Sequence, residues 1–144
     1  MMENHKTVLM SIHSKWAAEI YAGEKKWEFR TKAPPALKDG KPVVILFYET
    51  TPVKKITGYA VILFSVSGSV QSVLMTIGHL GFLSGSDGIG SMSMQTLIDY
   101  AGKSELTALS LGGVTKLDVP IDLRKGPQNW QWVDSNNLEL ATCN

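Results

Sequence analysis

Apolar and polar positions along this chain switch between two periods, and the switches mark its elements. Residues 7–13 (TVLMSIH) form an apolar, β-favourable run that predicts a first strand. Ser14 stands where a helix cap is wanted, and Trp16, Ala17, Ile20 and Tyr21 recur at helical spacing over residues 15–22. Gly23 falls at the left-handed position that ends such a helix. Residues 26–31 (KWEFRT) return to period two, with Lys26, Glu28 and Arg30 on one face and Trp27 and Phe29 on the other. That pattern predicts a half-buried strand with a charged face.

Ala33-Pro34-Pro35 and Asp39-Gly40-Lys41-Pro42 punctuate a loop. The continuous apolar run at 43–48 (VVILFY) predicts a buried central strand, and 50–55 a turn carrying Pro52 and the pair Lys54-Lys55. Residues 56–66 predict the next strand, with Gly58 a bulge or a point of close approach. Val70, Val73, Leu74 and Ile77 share a helical face over 69–80, and Met94, Leu97, Ile98 and Ala101 mark a second such helix ending at Gly102. The glycine- and serine-rich stretch 81–91 between them reads as a flexible loop, a candidate lid. Strands are expected at 106–111 and 118–123, and a last one where Trp alternates with amides near Trp130 and Trp132. Five or six strands with two or three inserted helices make an α+β arrangement, a small barrel decorated by helices. No repeat or linker divides the chain, so one domain is expected over 7–133, with 1–6 and 134–144 as tails.

Composition narrows the function classes. The chain has 144 residues, enough for one core without staples, and 44% apolar against 19% charged residues is an ordinary globular balance. The single cysteine, Cys143, permits no disulfide framework, so a reducing, cytoplasmic setting is expected. No stretch reaches the apolar length of a membrane span, and the N-terminus lacks the features of a signal peptide. Net charge is only +1, but residues 1–55 hold ten of the fourteen Lys and Arg against six acids. Clustered on one face, that excess makes a modest anion-attracting surface. Selectivity for a nucleic acid would then come from a pocket, because strong sequence-blind affinity needs many phosphate contacts.

The densest group of reactive side chains is Gly23-Glu24-Lys25-Lys26-Trp27-Glu28-Phe29-Arg30. Glu28 and Arg30 lie two apart on a strand and can orient each other; Lys25 precedes the alternation, and parity does not place it. A lysine near a carboxylate and a guanidinium suits acid/base or oxyanion chemistry. The same pattern also describes a surface strand with cross-strand ion pairs.

Gly23-x-Lys25-x-x-Glu28-x-Arg30 resembles the signature of the ASCH family, whose domains are related to the PUA fold. Val8-Leu9-Met10-Ser11-Ile12 before a short helix resembles the family's opening. Residues 47–58 (FYETTPVKKITG) resemble its central strand, turn and next strand, and Gly88-Ile89 before a helix ending Asp99-Tyr100-Ala101-Gly102 fits its variable middle. Pro127-Gln128-Asn129-Trp130 resembles its closing segment. The resemblance implies a PUA-like β-barrel with a cleft between barrel and helices, where Lys25, Glu28 and Arg30 converge. It also implies RNA or a nucleotide as partner and, in some members, ribonuclease activity or amidohydrolysis of acylated cytidine nucleosides; no cofactor is expected. Those amidohydrolases carry a nucleophilic Thr at the position of Glu28, so their hydroxyl mechanism does not transfer to this chain.

Three functions follow as expectations. The first is a binding module for single-stranded RNA or a modified nucleotide, with Lys25, Lys26, Arg30, Lys54 and Lys55 holding phosphate, Glu28 accepting from a base or ribose, and Tyr48 or Trp130 stacking. The second is a metal-independent ribonuclease or other hydrolase using Lys25, Glu28 and Arg30. The third is a protein-interaction domain with a relic cleft, since the short chain shows no appended domain. His5, His13 and His79 are far apart and no metal-ligand spacing exists, so no metal is expected. His13 borders the cleft or caps the first helix. Residues 85–90 (GSDGIG) lack the Lys-Ser/Thr of a phosphate loop, and Trp16, Trp27 and Phe29 are assigned to the core.

Overall fold

The computed structural model describes residues 4–84, 88–123 and 125–134, with only the backbone described at 82–84. The tail assignments at 1–3 and 135–144, Cys143, and the centre of the expected 81–91 loop lie outside these residues. Strand β1 (Lys6–Ile12) leads into helix α1 (Ser14–Tyr21), then β2 (Trp27–Arg30), β3 (Leu37–Lys38), β4 (Lys41–Glu49) and β5 (Lys55–Gly68). Helices α2 (Val70–Ser84) and α3 (Met94–Ala101) follow, then β6 (Leu106–Asp122) and β7 (Trp130–Val133).

The strands form one mixed sheet in the order β2-β6-β5-β4-β1-β7, with the two-residue β3 paired to β4. Only β1 and β4 run parallel, and α1, β2 and β3 lie in the crossover between them. The sheet curls into a half-barrel, giving the α+β architecture expected from the sequence. Seven strands appear because Leu37–Lys38 forms a short hairpin around Asp39-Gly40, whose positive φ angles (54° and 75°) suit a two-residue turn.

The alternation at 43–48 buries Val43, Ile45 and Phe47 completely, and they pack with Val8, Met10, Ile12, Ala17 and Ile20 beneath α1. A second cluster joins Trp27 and Phe29 to Val73 and Ile77 of α2 and Leu97 and Ala101 of α3. The cleft described below lies between the helices that cover these two clusters.

Several local expectations change. Ser14 does not cap α1: His13 holds the N-cap position, without a side-chain cap bond, and the buried Ser14 Oγ has no partner. The expected strands at 106–111 and 118–123 are one strand, β6. Pairing with β5 continues past Gly112-Gly113 through register shifts instead of ending there. On α3 only Leu97 and Ala101 of the expected apolar face are buried, while Met94 and Ile98 are exposed. The start of the 81–91 loop belongs to α2, and its end is tethered: Lys26 N donates to the Gly88 carbonyl, and Lys25 bridges Ile89. At Gly58 the register shifts on both sides of β5, and a Cβ there would meet the Thr115 carbonyl oxygen and the Tyr21 ring. Close approach is the reason for that glycine.

Candidate functional site: a buried ion network on the wall of a cleft

Helix α1 ends in a turn that delivers Lys25. Gly23, at φ +81°, donates to the Ile20 carbonyl while Glu24 and Lys25 donate to that of Glu19, the paired bonds of a left-handed helix terminus. The chain then enters β2, antiparallel to β6, with Glu28 opposite Leu109 and Arg30 opposite Thr107. The period-two spacing puts Glu28 and Arg30 on one face, and the turn brings Lys25 behind them.

These three side chains form one network. Lys25 Nζ donates to Glu28 Oε1 at 3.2 Å and to the Trp27 carbonyl, and stands 5.0 Å over the Phe29 ring. Arg30 Nε donates to Glu28 Oε2 at 2.8 Å, with Nη2 2.7 Å from the same oxygen. Its remaining reach goes across the molecule, Nη1 to Asn129 Oδ1 at 2.7 Å and Nη2 to the Ser11 carbonyl. The side chains are 0% (Lys25), 7% (Glu28) and 13% (Arg30) exposed, so the charged face of the strand expected to be half-buried is itself buried. Burial by itself raises the Glu28 carboxyl, but the Lys25 and Arg30 charges and their hydrogen bonds outweigh it and hold the carboxyl below its usual range. Glu28 is therefore ionised at neutral pH and doubly paired.

Arg30 also bridges the open side of the half-barrel. It starts on β2, one edge of the sheet, and ends on β1 and on Asn129, just ahead of β7 at the other edge. Ser11 adds a backbone bond to the Asn129 carbonyl (3.0 Å) and a hydroxyl bond to that of Pro127, while Trp130 Nε1 donates to the Lys32 carbonyl at 3.1 Å. The Arg30 and Trp130 side chains thus join edges that no ladder among the described residues connects.

In front of the network lies a cleft of about 330 Å³. Glu28, Phe29 and Arg30 line it from β2, with Ser11, Ile12 and His13 at the end of β1 and Trp16 from α1. Thr50 and Gln128 border it, and Met92, Thr96, Leu97 and Tyr100 form the wall contributed by α3 and the residues before it. Tyr100 Oη accepts from Thr31 N at 3.1 Å, which holds α3 to the end of β2. Glu19 secures the same region from below: its carboxylate accepts from Ser91 N (2.8 Å) and Ser91 Oγ, and these bonds hold its carboxyl below the usual range.

The remaining expected binding residues are spread out. Lys25 touches the cleft only through Glu28, and Lys26 is exposed beside Gly88. Tyr48 is buried with Leu9, Ile56 and Leu123, and Gly126 closes against its ring. Lys54 is exposed, and Lys55 lies 3.5 Å from Asp122. Trp130 is half-buried, edge-on to Trp132 at 5.7 Å. None of Lys26, Tyr48, Lys54, Lys55 and Trp130 lines the cleft. Trp16, which helical spacing assigns to the core, is only partly buried and does line it. Tyr100 and Gln128 stand in segments that resemble the family but are given no role in a site by the sequence, because long-range packing brings them to the cleft. Among the described residues no group of three or more His, Cys, Asp or Glu is placed to hold a metal ion, and no helix is long and apolar enough to cross a membrane.

Comparison with known proteins shows what this chain is similar to. The model of the ASCH domain matches residues 10–66, from β1 through the ion network into β5. An ASCH domain-containing ribonuclease of Zymomonas mobilis is 34% identical over 82 residues, 56% of this chain and 53% of the relative. In that alignment the chain spans about half the length of the curated relative. The crystal structure of ASCH from Zymomonas mobilis superposes with a TM-score of 0.69 at 26% identity, covering 92% of this chain and 90% of that one. A tyrosine-to-phenylalanine variant of it gives the same TM-score at 25% identity, over 94% and 96% of the two chains. The fold is thus shared with the Zymomonas mobilis ASCH structure over nine-tenths of the molecule, and the segment that the ASCH domain model matches runs through Lys25, Glu28 and Arg30.

Proposed function

We propose that the cleft takes up one nucleotide of a single-stranded RNA. The observation that carries this reading is an ionised carboxylate and a guanidinium held rigidly in one cleft wall, with the Trp16 and Tyr100 rings among its other walls. A volume of about 330 Å³ is at the small end of ligand sites, the scale of a nucleotide rather than a helix. Arg30 meets phosphate or a base edge, Glu28 accepts from a base or ribose donor, and an aromatic ring stacks on the base. Lys25 holds Glu28 in place rather than touching the ligand.

The test is titration of labelled single-stranded RNA with wild-type protein and Trp16→Ala. Weaker binding by the variant supports the reading, and equal affinity at low salt overturns it.

A second reading, metal-independent RNA cleavage in the same cleft, is favoured by the ribonuclease name of the Zymomonas mobilis relative. Cleavage of RNA in EDTA by wild-type protein, absent from Glu28→Gln, supports it. Intact RNA in the wild-type lane leaves uptake alone.

A further inference from the structure

Cleavage of RNA without a metal needs a group that takes a proton, and the cleft's ion network is poorly suited to supply one. Glu28 has both oxygens engaged and is held ionised by two cations, which makes it a weak base. Arg30 stays charged, and Lys25 is sealed behind the wall. The titratable and charged groups lining the cleft are His13, Glu28 and Arg30, with Tyr100 on the α3 side; Ser11, Thr50 and Thr96 add only hydroxyls. Tyr100 Oη is occupied as acceptor for Thr31 N.

His13 is the remaining group. It is exposed at the cleft rim, its Nδ1 is 3.4 Å from Thr50 Oγ1, and its Nε2 has no partner among the described residues. With Nδ1–H donating to Thr50, Nε2 is the basic nitrogen. Its backbone is fixed as the N-cap of α1, where both Trp16 N and Ala17 N donate to its carbonyl at 3.1 Å.

We propose that His13 is the proton acceptor for RNA cleavage in this cleft. The inference rests on the cleavage reading of that site. In the step, Nε2 takes the proton of a ribose 2′-hydroxyl, the freed oxygen bonds to the adjacent phosphorus, and the bond from phosphorus to the 5′-oxygen breaks. The leaving 5′-oxygen takes a proton from water. The products are a 2′,3′-cyclic phosphate and a 5′-hydroxyl, and no oxidant, metal or co-substrate is consumed. Arg30 lies in the same wall to meet the phosphate charge.

The experiment compares wild type with His13→Gln on an end-labelled RNA in EDTA, from about pH 5 to about pH 8, with binding of the same RNA measured in parallel. Since the imidazole makes no cap bond, the substitution leaves the fold in place. Wild type is expected to yield cyclic-phosphate ends, to spare an RNA with a 2′-deoxy nucleotide at the cut position, and to lose rate as the pH falls. His13→Gln is expected to lose roughly a hundredfold or more in rate, far more than it loses in affinity, together with that acidic limb. A variant that cleaves at the wild-type rate with the same pH profile overturns the role of His13 and leaves the RNA reading standing. Wild type that binds RNA but leaves it intact overturns cleavage and His13 together. Neither binding nor cleavage overturns the RNA reading itself.

Discussion

Arg30 and Asn129 stand 99 residues apart in sequence and are joined by a 2.7 Å hydrogen bond across the open side of the sheet. The bond couples a β2 side chain to the residue before β7, so the cleft wall and the seam of the half-barrel share one guanidinium. Asn129→Ala leaves that guanidinium short of an acceptor. The expected loss of stability is about 1.5–3 kcal/mol, read as a lower urea midpoint with unchanged slope. An unchanged midpoint would mean that the seam holds without it.

Acid should unfold this protein through Glu28 in particular. Its carboxyl is depressed in the folded state, so the network's stabilisation is complete above the ordinary carboxylate value of 4.5 and is lost as pH falls through the depressed value. Thermal midpoints measured from neutral pH downward should therefore drop steeply below that point. Glu28→Gln should flatten the drop, with the residual slope coming from Glu19, whose carboxyl is depressed by Ser91. It should also lower the midpoint at neutral pH, because Lys25 is then left in a buried site without its counter-ion.

Lys25 and Glu28 should behave as a unit. Lys25→Met alone is expected to cost about 3–5 kcal/mol, since it strips one cation from a buried carboxylate and leaves the Trp27 carbonyl unpaired. The double variant Lys25→Met/Glu28→Gln should be more stable than the sum of the singles by roughly 0.5–3 kcal/mol. Strict additivity in denaturant unfolding would show that the two charges do not interact.

Trp16→Ala separates ligand binding from folding. The ring is only partly buried, so its removal should cost less stability than truncating the fully buried Phe47. If the ring stacks on a base, affinity for single-stranded RNA should fall by about 1–3 kcal/mol. Tyr48→Ala should show the reverse, a large stability loss with no specific effect on affinity, because its ring is closed in by Gly126.

Gly58→Ala tests the β5 bulge. The added methyl runs into the Thr115 carbonyl oxygen and the Tyr21 ring, neither of which can move freely. A destabilisation of about 1–3 kcal/mol is expected, and a neutral effect would place slack at the junction of α1, β5 and β6.

What could be read in advance follows from how local its cause is. Glu28 and Arg30 share a face because strand parity is a property of six consecutive residues, and Gly23 ends α1 because its φ suits the terminus. The burial of that face was not legible, since it comes from Asn129, Ser11 and α3, all remote in sequence. Trp16 shows the same limit in reverse: helical spacing put it with Ala17 and Ile20, but α1 spans the border between core and cleft. Gly112-Gly113 looked like the end of a strand, yet pairing with β5 carries β6 across it. Ser14 was the better cap by residue type, while its hydroxyl is buried without a partner one position inside the helix.

Glu19 ties two of these regions with a single residue. Its carbonyl receives Glu24 and Lys25, and its carboxylate receives Ser91. The connection at 22–26 therefore has no slack: one inserted residue would release the Ser91 anchor and turn Lys25 away from Glu28 together. The exposed hairpin around Asp39-Gly40 is tied only by surface contacts, Lys6 to Asp39 at 3.7 Å and Lys38 over the Trp132 ring. Natural length variation in chains of this kind should accumulate in the hairpin, and the short step from α1 to β2 should serve as the fixed ruler against which the rest of the domain is measured.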